Sequence, residues 1–192
     1  MFKTISKLLI LFFALPSLAL AHTGVGDTTG FMHGFSHPIG GADHLLAMIA
    51  VGLWAAQIGG RALWVVPCTF VGVMLLGGVL GFSGVAIPFV EQGILLSILV
   101  LGILIAGAFK LPTAYSCIIV GIFAVFHGHA HGTEMPASLS AGSYAIGFAL
   151  ATAMLHTAGI GLGSLMKQVN LHTISRFIGG AIALSGIYLS IA

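Results

Sequence analysis

Apolar residues run along this chain in long blocks, broken by short turns rich in Gly, Pro and charge. A helix that crosses a bilayer needs about 20 predominantly apolar residues. Six blocks meet that need, near residues 38–58, 62–81, 90–109, 112–131, 138–164 and 174–191. The turns between them are Gly59-Gly60-Arg61, Phe82 to Phe89, Lys110-Leu111, Gly132 to Ala137 and Leu165 to Thr173. Pro38, Pro112 and Pro136 stand at or just before expected helix starts, where a missing N–H costs little. Pro67 falls inside the second block and is expected to kink it. The fifth block is longer than a bilayer requires, so it has to tilt or bend. The expected fold class is all-α: a polytopic membrane bundle of six transmembrane helices after an N-terminal signal peptide.

The N-terminus has the three-part layout of a secretory leader. Lys3 and Lys7 precede an apolar run from Leu8 to Leu15, Pro16 breaks it, and Ala19-Leu20-Ala21 supplies small residues before a cleavage point at His22. The expected division is a signal peptide over 1–21 and a six-helix transmembrane domain over 22–192; the alternative is an uncleaved first helix. Cys68 and Cys117 sit in apolar blocks and read as small core residues. Gly142, Gly147, Ala151, Gly159, Gly161, Gly163, Gly179, Gly180 and Gly186 read as helix-packing surface.

Composition agrees with the pattern and excludes several functions. Of 192 residues, 58% are hydrophobic and 5% charged, whereas a soluble domain carries roughly 25% charged residues. That rules out a soluble enzyme and a disordered chain. A formal charge of +2 leaves no basic patch for nucleic acid. Beyond the leader the basic residues are Arg61, Lys110, Lys167 and Arg176. With six spans all four share one side, which the positive-inside rule places in the cytoplasm. The leader independently puts His22 outside, and an uncleaved leader would keep the same orientation.

Nine His against ten other charged residues is the chemical clue. On this topology Asp27, Asp43, Glu91 and Glu134, with every His except His172, fall on the outer side or in the membrane. Carboxylate and imidazole together suit borderline divalent cations such as nickel, cobalt and zinc. One constellation runs from His33 through His37 to Asp43 and His44. With a helix starting at Pro38, His37, His44 and Met48 share a face, and Asp43 turns toward a neighbouring helix. An ionisable residue at membrane depth costs at least ~2.5–3.5 kcal/mol unless paired or ligated. The other constellation is Phe126-His127-Gly128-His129-Ala130-His131-Gly132-Thr133-Glu134. Its spacing points His127, His131 and Glu134 one way and His129 elsewhere, toward water. Each constellation also has a bland counterpart: a structural Asp43–His44 pair, or a solvated His-rich loop. Glu91 at a helix start fits a ligand or a charge favoured by the helix dipole. His156, deep in the fifth block, fits a lower relay site or an interhelical hydrogen bond.

His37-Pro38-Ile39-Gly40-Gly41-Ala42-Asp43-His44 resembles the HPxxGxDH signature of the HupE/UreJ proteins. The six blocks, the leader and the FHGHAHG…EMP segment also look like that family. These are small bacterial permeases associated with hydrogenase and urease maturation and taken to import nickel, some linked to cobalt. The resemblance implies that His37, Asp43 and His44 bind or pass metal, and implies the same more weakly for Glu91, His127, His131 and Glu134. His22, His33, His129, Met48 and His156 are secondary candidates for the path. Larger nickel/cobalt transporters use a related His…Asp-His motif with shorter spacing and more spans, a pattern this chain departs from. The implied protein is a multi-pass permease of the bacterial inner membrane with periplasmic mature termini. It is expected to be no enzyme and to need no cofactor beyond a transported or bound divalent ion, Ni2+ first, then Co2+ or Zn2+. Its expected partners are that ion, membrane lipids and no nucleic acid, with a homo-oligomer or a cytoplasmic metallochaperone as a further partner.

Three other readings compete. Gly81-Phe82-Ser83-Gly84 matches the GxSG of rhomboid proteases, with His156 as base, but those are four common residues and Ser83 falls at a helix end. A zinc-dependent intramembrane hydrolase needs an open zinc position. A metal sensor or partner protein needs no uptake at all. The orientation is open to direct test. With Cys68 and Cys117 removed, Arg61→Cys or Lys110→Cys should react with an impermeant thiol reagent only after permeabilisation; labelling of intact cells would overturn the topology.

Overall fold

The computed structural model describes residues 30–136 and 138–191, and it is all-helical there. The expected leader over 1–21, with His22 and Asp27, lies outside the described residues. Seven helices follow one another: α1 (Gly30–Gly40), α2 (Ala42–Ile58), α3 (Ala62–Phe82), α4 (Val90–Ala106), α5 (Thr113–Glu134), α6 (Ala141–Gln168) and α7 (His172–Ile191). Helices α3, α5, α6 and α7 are long and apolar enough to cross a membrane. The pair α1–α2, bent by 81°, makes a fifth span if taken as one, and α4 is a shorter apolar helix of 17 residues.

The main departure from the sequence reading is at the first span. Pro38 does not open a helix; it sits in the last turn of α1, where its missing N–H leaves the Gly34 carbonyl without that helical bond. The break falls at Gly41, whose extended backbone (φ −94°, ψ 123°) caps α2. His37 and His44 therefore lie on two helices across a sharp bend and do not share one face. The fifth predicted block becomes the 28-residue α6, about 42 Å long at 1.5 Å per residue. The turn after it shrinks to Val169–Leu171.

Helix α2 is the axis of the bundle. Met48, Val51, Leu53 and Trp54 on it are fully or almost fully buried, as expected of a helix that is apolar all round. The apolar surface is turned outward on the other helices: Trp64, Leu184 and Phe177 stand exposed, the arrangement that lipid requires. Cys68 faces outward too and is not the core residue expected, while Cys117 is half-buried against the core.

Between helices the packing is set by absent side chains. At the α3–α5 contact a Cβ on Gly128 would run into the Met74 carbonyl oxygen, one on Gly132 into that of Gly78, and one on Gly77 would lie 2.6 Å from that of Val125. Gly52 of α2 and Gly159 of α6 allow the same approach, as do Gly34 of α1 and Gly147 of α6. Such small-residue contacts hold membrane helices together by van der Waals packing, since lipid supplies no hydrophobic drive. Gly142, Gly161 and Gly180 face open space and are not the packing surface expected of them.

The four basic residues gather at one end. Arg176 Nε donates to the Ala106 carbonyl at 2.7 Å, and Lys167 Nζ would lie 3.6 Å from a Cβ on Gly59. The α3–α5 contact yields a stability test. Gly128→Ala should cost about 1–3 kcal/mol through overpacking and lower the melting temperature in detergent, while Gly142→Ala should leave it unchanged. Equal melting of the two variants would contradict the close approach.

Candidate metal centre

At the end opposite the basic residues, α1, the start of α2 and the end of α5 converge. His127 and His131 are one turn apart on α5 and both are buried. His131 lies between the other two helices: its ring centroid is 4.6 Å from that of His37 and 4.5 Å from that of His44. The His44 ring also stands 4.8 Å from that of His127, at 90°. Glu134, one turn beyond His131, brings Oε2 to 3.4 Å from His37 Nε2. His37, His131 and Glu134 each offer a donor atom, and the three atoms lie within 4.8 Å of one another. Donors around an ion at ~2.1 Å lie up to about 4.2 Å apart, so small rotamer changes would let the three close on one cation. His37 and Glu134 are partly open to the outside, and His131 is not, so the trio forms a mouth with a buried floor.

Hydrogen bonds decide which nitrogens remain free. The Asp43 carboxylate accepts the His44 backbone N–H at 2.8 Å, and its Oδ1 lies 3.0 Å from His44 Nδ1. A carboxylate only accepts, so Nδ1 carries the proton and Nε2 is left with a bare lone pair. Nε2 is buried with no partner. This is the carboxylate–histidine arrangement that orients metal-binding imidazoles and raises their basicity. Gly41 permits it, because a Cβ there would sit 2.7 Å from Asp43 Oδ1. His127 repeats the logic with a hydroxyl. Ser97 Oγ donates to the Ile94 carbonyl at 2.6 Å, so it accepts from His127 Nε2 at 3.1 Å. His127 Nδ1 is then the bare nitrogen, again buried and unpartnered. His131 has the Tyr144 hydroxyl 3.5 Å from Nδ1, a free Nε2, and Phe148 packed on its ring at 3.8 Å.

The other candidates are placed as follows. His33 stands one turn from His37 and 5.8 Å from the Tyr144 ring, at the edge of the mouth. His129 does not face water; it is 5% exposed, and its Nε2–H donates to the Val85 carbonyl at 2.6 Å, tying the α3–α4 turn to α5. Glu91 is exposed in the first turn of α4. It enters neither the mouth trio nor any ion pair among the described residues. Met48 is buried within α2. His156 lies deeper, its ring edge-on to Phe70 at 5.1 Å. Ser83 is in the exposed turn that ends α3, while His156 is buried, so the GxSG match comes with no nucleophile–base pair.

Ser97, Tyr144 and Phe148 have no counterpart in the sequence reading. Ser97 had one legible signal: it is the only hydroxyl in an otherwise aliphatic stretch of α4.

The family profile described as HupE / UreJ protein matches residues 9–189. The chain is 49% identical to Protein HupE of Rhizobium leguminosarum bv. viciae over 176 residues, which is 92% of this chain and 92% of that protein. No solved structure matches. A match over nearly the whole length, carrying the His37–His44 and His127–Glu134 segments together, settles the classification: this chain belongs to the HupE/UreJ family.

Proposed function

We propose that this protein is a permease that imports Ni2+, and Co2+ as a second cargo, across the bacterial inner membrane. The observation that carries the reading is the mouth trio of His37, His131 and Glu134, in ring contact with the buried imidazoles of His44 and His127, each with one unpartnered nitrogen. Membership in the HupE/UreJ family supports it, because the resemblance associates that family with nickel and cobalt import. The mature protein crosses the membrane six times, α1–α2 counting once and the short α4 included. The basic end is cytoplasmic, and the mouth and both mature termini are periplasmic.

In this mechanism Glu134 and His37 capture the hydrated cation at the mouth. His131 takes it below the surface, and the bare Nε2 of His44 and Nδ1 of His127 replace further waters. Asp43 is committed to both N–H groups of His44. Its role is to hold that ring and to offset the positive charge arriving beside it, not to act as a free base. That commitment favours transport over hydrolysis. No site thiolate is present, so the ion is held loosely enough to leave, as conduction requires. Cytoplasmic chelators or a metallochaperone would then trap it.

Two measurements test the reading. Asp43→Asn keeps the shape of the side chain but gives up its charge, and His44→Ala removes the ring. Either should lower initial Ni2+ uptake by about tenfold or more, the usual scale for losing a ligand or its partner, while the protein still inserts. Near-normal uptake in both would refute the site. The second measurement is pH. An imidazole must be neutral to bind a cation, and its ordinary pKa is about 6.5. Lowering external pH from about 7.5 to about 5.5 should therefore weaken capture several-fold through competition. A rate that climbs steadily toward the acid end, at fixed membrane potential, would replace simple competition by proton-coupled entry.

A further inference from the structure

His156 is the buried group that the mouth and its neighbours do not use. It lies fifteen residues into α6, about 22 Å along the helix, and is 1% exposed. Neither ring nitrogen has a hydrogen-bond partner. A neutral imidazole always has one N–H to give and one lone pair to receive, and burying both unused is costly. The nearby polar side chains are engaged with each other: Thr152, one turn earlier on α6, donates to Met74 Sδ at 3.7 Å. The His156 backbone is fixed as well, since a Cβ at Gly52 of α2 would strike its carbonyl oxygen. A structural role would be filled without that cost by a Phe, whose ring would pack on Phe70 just as well.

The position of the ring gives the orphaned nitrogens a use. Phe70 contacts His127 at 5.5 Å between centroids and His156 at 5.1 Å. His127 in turn touches His44, and His44 touches His131. Aromatic rings thus run in unbroken contact from the mouth to His156, with free imidazole nitrogens at His131, His44, His127 and His156.

We infer that His156, whose ring meets the same Phe70 that His127 contacts, forms an inner cation station distinct from the mouth trio. A permeating ion is fully dehydrated there before release toward the cytoplasm. The Thr152 hydroxyl, one turn before His156, and the Met74 thioether it contacts at 3.7 Å are the additional donors. The inference rests on the permease reading and assigns the part of the path that the mouth leaves open.

The test uses the full-length protein and Ni2+ alone. At saturation, wild type should bind about two ions per chain and His156→Phe about one, with mouth affinity within about twofold of wild type. Initial uptake by His156→Phe should fall by about tenfold or more, the loss that removal of a ligand brings. His156→Asn, smaller and still polar, should be impaired in the same direction. A monodisperse His156 variant with wild-type uptake, or with wild-type stoichiometry, overturns the inner station while leaving the permease reading intact. If neither variant folds, the wild-type count decides, and a single bound ion overturns the proposal. Wild type that neither binds nor takes up Ni2+, Co2+ or Zn2+ removes the permease reading itself, and the inner station with it.

Discussion

The Asp43 carboxylate bridges the backbone N–H and the ring N–H of His44, and much of the outer half depends on that one contact. A charge at this depth survives only if it is paired or hydrogen-bonded. Here it is held by two donors from the next residue, at the positive end of a helix, where anions are favoured. The contact needs Gly41 without a side chain, and Gly41 is where the chain turns by 81°. The bend lays α1 across the bundle and brings His37 down onto His131. One glycine thus serves the carboxylate, the break and the convergence of two histidines from different helices.

The same economy governs the other imidazoles. Each is oriented by spending a single N–H: on Asp43 for His44, on Ser97 for His127, on Val85 for His129. Each keeps its second nitrogen dry and unpaired. In a purely structural core such nitrogens would be satisfied or replaced by carbon, because leaving them bare loses free energy. Glycine contacts between α3 and α5 hold this costly set in place, by bringing the His-bearing α5 close enough for its rings to be enclosed.

Much of this was legible in the residues. The apolar blocks, the basic residues on one side and the His and acid residues on the other already placed both constellations at one membrane face, and the helices assemble that way. The break at Gly41 was not legible. Pro38 by itself favours a helix start, and nothing in the sequence signals that it instead stands in the last turn of α1. Ser97 stood out only as the single hydroxyl in an aliphatic stretch, a signal that does not identify its partner His127. The inner and outer faces of the spans were hidden for a third reason. In lipid both faces are apolar, so Cys68 read like a core residue although it points outward. Only small and polar residues mark the inward side, which is why Gly147, Gly159 and the histidines were informative positions, while Gly142 and Gly161 misled.

The distribution of donors also bears on how an ion could move. A single site with four strong ligands would bind tightly and release slowly, which suits a structural metal and not a conduit. This chain instead strings donors along a line. There are three at an open mouth, with the one carboxylate among them partly exposed, then one free nitrogen at each of His44 and His127. In the proposed permease an ion moving inward would exchange water for imidazole at each step, and the formal negative charge near it would fall from Glu134 to Asp43 to none at His156. Attraction is strongest where the ion is still hydrated and must be captured. It is weakest where the ion has to let go. On that proposal, a gradient of that shape would favour passage toward the basic end without any bound nucleotide.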